Sequence, residues 1–303
     1  MIFPRAQSLN SMGPCLILGG NGQLGKAVID QMPVTQIMVV KTHHDLDLMD
    51  EENLQHVLEE ETPSVIINCA AYTAVDQAEN EPEKAHAINS KAVGNLARLV
   101  NADVRIIHIS TDFVFSEKIS RPYKPNDSTN PVSVYGKSKL EGEANLLTHH
   151  PRNSVIVRTS WLYSAVGRNF VLTMLRLMAE REELGVVADQ FGSPTSTRSL
   201  AEIICKFMPP EVKAGLYHWC DSGVISWYDF AVEIHKQALE KSLLKKPVLI
   251  NPISTMDYPT LARRPEYSAL DCSETEKILS TKAAPWRESL SRVLDEIKKN
   301  RFE

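Results

Sequence analysis

From Cys15 onward, short apolar runs alternate with segments whose apolar residues recur at helical spacing, a rhythm that lasts about 145 residues. The runs are Cys15 to Leu18, Ile37 to Val40, Val65 to Asn68, Arg105 to Ile109 and Val155 to Val157. Compact Val/Ile/Leu blocks without polar alternation fit strands covered on both faces. Strands separated by helices predict βαβ units on a parallel sheet. Asp50 predicts a helix start, followed by Glu51 and Glu52 in the first turn, where the helix dipole favours acids. Glu83 to Val100 reads as one helix, with Ala87, Val93, Ala97 and Val100 at helical spacing.

After Arg158 the rhythm loosens. A helix is expected over Phe170 to Arg181, a strand near Val186, and helices over Ser199 to Phe207 and Tyr228 to Leu239. Pro247, Pro252, Pro259 and Pro265 mark connections before a last helix from Trp286 to Lys299. The pattern predicts an α/β chain: a Rossmann-type doubly wound parallel sheet in residues 1–160, then a smaller α/β substrate-binding domain in 161–303, with some later segments returning to the first. Residues 1–13 read as a flexible extension, with Met12 as a second candidate start.

The 303 residues, 43% apolar and 23% charged, are enough for a sizeable core and exclude a disordered or low-complexity chain. With 33 Lys+Arg against 38 Asp+Glu, no global positive field exists to hold a nucleic acid or an anionic membrane, so a phosphate must be bound locally. The five cysteines are widely spaced without a C-x-x-C pair, which predicts reduced thiols rather than disulfides or zinc. No apolar stretch reaches the roughly 18 residues of a membrane helix, and no signal-peptide core is present. A cytoplasmic protein is the expectation.

Directly after the first run stands Gly19-Gly20-Asn21-Gly22-Gln23-Leu24-Gly25. Glycines at 19, 22 and 25 let a strand turn sharply, bring a pyrophosphate against bare backbone and start a helix packed close to the sheet. That helix would offer its free N–H groups to the phosphates. A tight βα turn without a ligand would carry the same glycines. The second run ends at Lys41, where NAD-selective sites place an acid for the adenosine ribose. A lysine suits a 2′-phosphate, which leans toward NADPH over NADH; a solvated loop accounts for Lys41 equally well.

Tyr135 and Lys139 are four residues apart at the start of a helical segment, so the ammonium can lie beside the phenol. A nearby cation lowers a phenol from its usual value of about 10 and makes it a better acid. The pair follows the fourth run, which ends His108-Ile109-Ser110-Thr111-Asp112 at the edge where parallel sheets bind ligands. Thr111 could hydrogen-bond a substrate carbonyl oxygen; a turn ending the strand would also use Thr111 and Asp112. Arg263 and Arg264 offer guanidinium forks for a pyrophosphate, or surface ion pairs. Trp161 suits either a sugar-binding wall or the core.

The chain resembles the extended short-chain dehydrogenase/reductases, and within them the reductases of dTDP-4-keto sugars, over nearly its whole length. The segments are GGNGQLG at 19–25, NCAAYTAVDQAENEP at 68–82, HISTDFVF at 108–115, NPVSVYGKSKLEGE at 130–143, RTSWLYS at 158–164, DQFGSPT at 189–195 and ARRPEYSALD at 262–271. The resemblance implies a cofactor site of Gly22, Gln23 and Leu24, with Asp47 and Leu48 near the adenine, Ala70, Ala71 and Tyr72 along the dinucleotide, and Tyr135 and Lys139 beside the nicotinamide ribose. It implies a substrate site of Thr111, Asp112 and Trp161. The implied reaction passes hydride from NADPH or NADH to the C4 ketone of dTDP-6-deoxy-L-lyxo-4-hexulose, giving dTDP-L-rhamnose. Tyr135 would supply the proton, and Lys139 would lower the phenol pKa and hold the ribose.

Where relatives bind magnesium through acids, the matching positions read Ala27 and Arg198, leaving Glu296. That argues against a magnesium-bridged dimer, though not against a homodimer, and no other metal site is expected. Two alternatives stand: an enzyme of another nucleotide sugar, and a non-catalytic NADP-binding regulator like the β subunit of methionine adenosyltransferase. The full Tyr-Lys-Thr set favours catalysis.

Overall fold

The structure, a computed structural model, describes residues 13–117 and 119–302. The extension expected over 1–13 lies outside these residues apart from Gly13. The first half runs β1 (Cys15–Leu18), α1 (Gln23–Gln31), β2 (Met38–Lys41), α2 (Glu51–Glu61), β3 (Val65–Asn68), α3 (Val75–Asn80), α4 (Pro82–His86), α5 (Ala92–Leu99), β4 (Arg105–Thr111), α6 (Val134–His149) and β5 (Ser154–Thr159). The second half runs β6 (Leu162–Tyr163), α7 (Phe170–Glu180), β7 (Glu183–Val187), β8 (Phe191–Gly192), β9 (Thr195–Ser196), α8 (Thr197–Lys206), β10 (Gly215–His218), β11 (Ile225–Ser226), α9 (Trp227–Glu240), β12 (Leu249–Ile253), α10 (Ser273–Ile278) and α11 (Trp286–Phe302).

Six strands make one parallel sheet in the order β10-β5-β4-β3-β1-β2. The chain order reverses around β1, which lies between β2 and β3, and such a reversal leaves a crevice at the carboxyl ends of the strands. On one face of the sheet Leu16, Ile66, Ile106 and Ile156 pack with Leu54, Val93 and Leu96. On the other, Ile17, Ile67, Ile107 and Val155 pack with Val28 of α1 and with Leu200 and Ile204 of α8. A separate apolar cluster joins Val171, Leu175, Phe230, Ile234, Leu290 and Leu294 from α7, α9 and α11.

Three local expectations are corrected. β2 is an edge strand, not one covered on both faces: Met38 and Val40 are exposed and the positions between them half-buried. The helix expected over Glu83 to Val100 is interrupted, because Ala87–Lys91 adopts a π-helical turn between α4 and α5. Pro252 lies within β12 rather than in a connection; β12 pairs with β7 in a two-stranded sheet, and its open side needs no donor from proline.

Local signals otherwise act as the sequence suggests. Asp50 caps α2 by accepting from Asn53 N at 3.1 Å. Ser133 caps α6 by accepting from Gly136 N at 3.1 Å, which fixes where that helix begins. Below its first turns α6 buries charge: Glu143 Oε2 meets Arg158 Nη2 of β5 at 2.6 Å, and Ser110 donates to Glu143 Oε1.

Removing one partner of this buried pair strands the other without compensation. Glu143→Ala is expected to cost about 3–5 kcal/mol of stability, and Glu143→Leu with Arg158→Met to recover most of that loss, as read from urea midpoints.

Candidate active site

The crevice at the strand reversal is a groove of about 440 Å³. Gly19, Gly22, Lys41, Asp47, Leu48, Ala70, Ala71 and Tyr72 line it, all from the carboxyl ends of β1, β2 and β3 or the segments that follow them. Gly19 has φ +77°, and a Cβ there would sit 2.7 Å from Ala70 N, so only glycine fits between the two loops. Gly25 packs so tightly that an added Cβ would overlap Gly19 O. Gln23, Leu24 and Gly25 are not among the lining residues: Leu24 is buried beneath the sheet, and Gln23 Oε1 accepts from Ser164 Oγ at 3.2 Å. No side chain caps α1, so its first N–H groups remain available to an anion. This cradle fits a dinucleotide, with the pyrophosphate over the glycine turn.

Lys41 is not solely a groove residue. Its Nζ lies 3.0 Å from Glu61 Oε1, with both side chains about three-quarters buried.

Tyr135, the second residue of α6, sits beside Thr111 at the end of β4, with its ring edge-on to Phe113. Thr111 Oγ1 in turn donates to Asp112 Oδ1 at 3.1 Å. Lys139 lies one turn further along α6, but its ammonium does not act on the phenol as expected. Lys139 Nζ instead reaches Ile109 O at 2.6 Å and His108 Nε2 at 3.2 Å, toward the floor of the sheet. Burial, with Asp112 adding to it, pushes Tyr135 up to about 12 against the lowering effect of Thr111. The expected lowering by Lys139 is therefore reversed in the ligand-free protein. Burial brings Lys139 itself down to about 8.

Other contacts were not legible as site features. Asn89, in the π-helical turn, accepts from Tyr72 N at 2.8 Å and donates to Tyr72 O and Ser138 Oγ at 3.0 Å each. It thus clamps the groove wall to α6. π-Helical turns recur at functional sites, and a buried asparagine within an apolar helix face was the available signal. Asn68 and His108 pair across β3 and β4, in register, beneath Lys139.

A second cleft of about 790 Å³ lies toward the second half, lined by Phe191, Met256, Tyr258, Arg263, Arg264 and Tyr267 among others. Arg264 is bound by Asp76, with Nη2 2.7 Å from Oδ2 and Nη1 3.1 Å from Oδ1. Arg263 is exposed at the cleft. Trp161 is not among the lining residues. Its backbone is left-handed at φ +46° and its ring stacks on Trp227 at 3.5 Å. Arg198 and Glu296 line one groove between α8 and α11, and among the described residues no group of three His, Cys, Asp or Glu is placed to hold a metal.

A dinucleotide crevice beside a Tyr-x-x-x-Lys helix and a threonine at the end of the fourth strand defines a short-chain dehydrogenase/reductase. Comparison narrows the class. The family described as "RmlD substrate binding domain" matches residues 13–299. The dTDP-4-dehydrorhamnose reductase of Aggregatibacter actinomycetemcomitans is 39% identical over 290 residues, 93% of this chain and 98% of that one. Among solved structures, the dTDP-4-dehydrorhamnose reductase of Clostridium acetobutylicum superposes with a TM-score of 0.88 at 38% identity, covering 94% of this chain and 99% of that one. That of Bacillus anthracis, solved in complex with NADP, gives 0.88 at 36% identity with the same coverage. The chain belongs to the dTDP-4-dehydrorhamnose reductase family.

Asp112 is buried, with Oδ2 lacking a hydrogen-bond partner, and desolvation raises its carboxyl from 3.8 to about 7 against the hydrogen bond that Oδ1 accepts from Thr111. A raised folded-state pKa means that the native state holds its proton more tightly than the unfolded chain. The stability this contributes is complete below about pH 4 and lost as pH rises to about 7. Asp112→Asn is expected to stabilise the protein more at about pH 8 than at about pH 4 in urea titrations. An equal effect at both would remove Asp112 as the titrating group.

Proposed function

We propose that the chain reduces the C4 ketone of dTDP-6-deoxy-L-lyxo-4-hexulose to dTDP-L-rhamnose with NADPH, in the cytoplasm. The observation that carries this reading is the placement of Tyr135 at the start of α6 beside Thr111 at the end of β4, next to the dinucleotide groove, in a chain of this family. Five free cysteines agree with a reducing compartment. No helix among the described residues is long and apolar enough to cross a membrane.

Bound NADPH supplies the hydride that reduces C4. Tyr135 supplies the proton to the oxygen and is left as phenolate. A phenol raised to about 12 is still a stronger acid than an alcohol, so the transfer runs downhill. Thr111 orients the phenol and can donate to the same oxygen as charge develops. The raised Asp112 carboxyl keeps a full negative charge from opposing that oxyanion below about pH 7. Arg263 at the outer cleft is the guanidinium available to the nucleotide diphosphate. A binding-only protein has no chemical need for the phenol.

Loss of nicotinamide absorbance in a mixture of protein, NADPH and the dTDP-4-keto sugar measures the reaction. Tyr135→Phe is expected to lower kcat by about 10²–10⁴ while NADPH binding persists. Turnover at the wild-type rate would eliminate the phenol as donor.

Glu61 competes with a 2′-phosphate for Lys41. Glu61→Gln is expected to lower the KM for NADPH by about two- to fivefold, the scale of a partly exposed ion pair, without moving that for NADH. Lys41→Asp should shift preference toward NADH, and an unchanged ratio in both variants refutes a Lys41 contact with the phosphate.

A further inference from the structure

Lys139 ends a hydrogen-bond chain whose direction can be traced from a fixed start. The backbone N–H of Ala70, on the groove wall, donates to Asn68 Oδ1 at 3.1 Å. A peptide N–H can only donate, so the amide oxygen faces Ala70 and the amide nitrogen faces His108 Nδ1, 3.2 Å away. That nitrogen has no lone pair to offer, so Nδ1 accepts, and a neutral imidazole must then carry its proton on Nε2. Burial holds His108 well below its ordinary range, so the ring is neutral.

The Nε2–H points at Lys139 Nζ, 3.2 Å away. An ammonium has three donors and no acceptor, and would set two protons against each other there. A neutral amine accepts the imidazole proton on its lone pair and still donates to Ile109 O at 2.6 Å. Of the other titratable groups around Nζ, Glu143 pulls toward the ammonium, and burial outweighs it. Cys69, after β3, is pushed up to about 12 by burial and stays an uncharged thiol. Glu143, one turn along α6, is engaged by Arg158 and Ser110, and Tyr135, one turn back, is a neutral phenol. Burial acts on Lys139 in the same direction as the opposing imidazole N–H.

We propose that Asn68 and His108 favour the neutral amine of Lys139 in the ligand-free protein, so that at mildly alkaline pH dinucleotide binding takes up a proton from solvent at Lys139 Nζ. His108 and Asn68 are then positioning residues that couple occupancy of the groove to the charge of the catalytic lysine. The balance is simple: the amine gains H⁺ and becomes an ammonium, and no electrons move. Ribose hydroxyls offer that ammonium the acceptors that the imidazole withholds. The inference rests on the reductase reading only for the identity of the ligand.

Calorimetric titration with NADPH in two buffers of different ionisation enthalpy counts the protons. At about pH 8.5 the wild type is expected to take up about three-quarters of a proton per dinucleotide and little near pH 6.5, with affinity falling by up to about tenfold per pH unit above about pH 8.5. Asn68→Asp reverses the chain. Its carboxylate accepts from Nδ1–H, Nε2 becomes an acceptor, and Lys139 stays an ammonium. Proton uptake should then vanish while NADPH still binds. Nitrogen-15 NMR of the ligand-free protein reads the tautomer directly, with His108 assigned by its loss in His108→Gln. An Nε2–H ring supports the proposal. An Nδ1–H ring, binding without proton uptake, or uptake unchanged in Asn68→Asp overturns it. Failure of NADPH to bind at all refutes the reductase reading instead, and the tautomer still decides the state of Lys139, even if Asn68→Asp does not fold.

Discussion

Burying Lys139 beneath α6 is tolerable only if its nitrogen finds polar partners, since an unmatched buried charge costs several kcal/mol and an unmatched buried amine still loses its hydrogen bonds to water. Much of the local architecture serves that requirement. Ile109 turns a carbonyl toward Nζ, and His108 occupies the adjoining position on β4. α6 buries Ser138, Lys139 and Glu143 where an ordinary surface helix would bury leucine. Gly142 permits the approach this needs, because a Cβ there would overlap Asn89 O in the π-helical turn. Tyr135 inherits its place from the same helix, and so the position of the proposed proton donor is set by the packing of residues four and eight positions beyond it.

Much of this was legible in the sequence. Blocks such as Cys15 to Leu18 and Val65 to Asn68 are too apolar for anything but central strands, and the glycine turn follows the first of them without a gap. Tyr135 and Lys139 opened a segment of helical spacing, whereas the Ser133 cap that sets its start is seen only in the structure. What spacing could not report is direction. Which way an ammonium points depends on the acceptors available across the fold, and Lys139 found a strand carbonyl rather than the phenol. His108 and Asn68 were hidden for a related reason: within apolar runs they read as parts of strands, and only their pairing in register across β3 and β4 reveals a network.

Neighbouring residues with the same chemistry were separated by contacts that no local pattern encodes. Arg263 and Arg264 look equivalent along the chain, yet Asp76, nearly two hundred positions earlier, takes only the second. Lys41 looks like a phosphate ligand until Glu61 is seen beside it. Gln23 is similar, since Ser164 and Asn169 draw its side chain toward the second half.

The layer on one face of the sheet is completed late in the chain. α8 covers α1 and the strands beneath it with Leu200, Ile203 and Ile204, and β10 extends the sheet beyond β5. The two halves are consequently not exchangeable cassettes. A chimera joined near residue 160, intended to graft another sugar preference onto this dinucleotide-binding half, would import a foreign α8 against the native Val28 and Leu24. Such a graft needs a junction on each side of 197–218, so that this stretch stays with its own sheet.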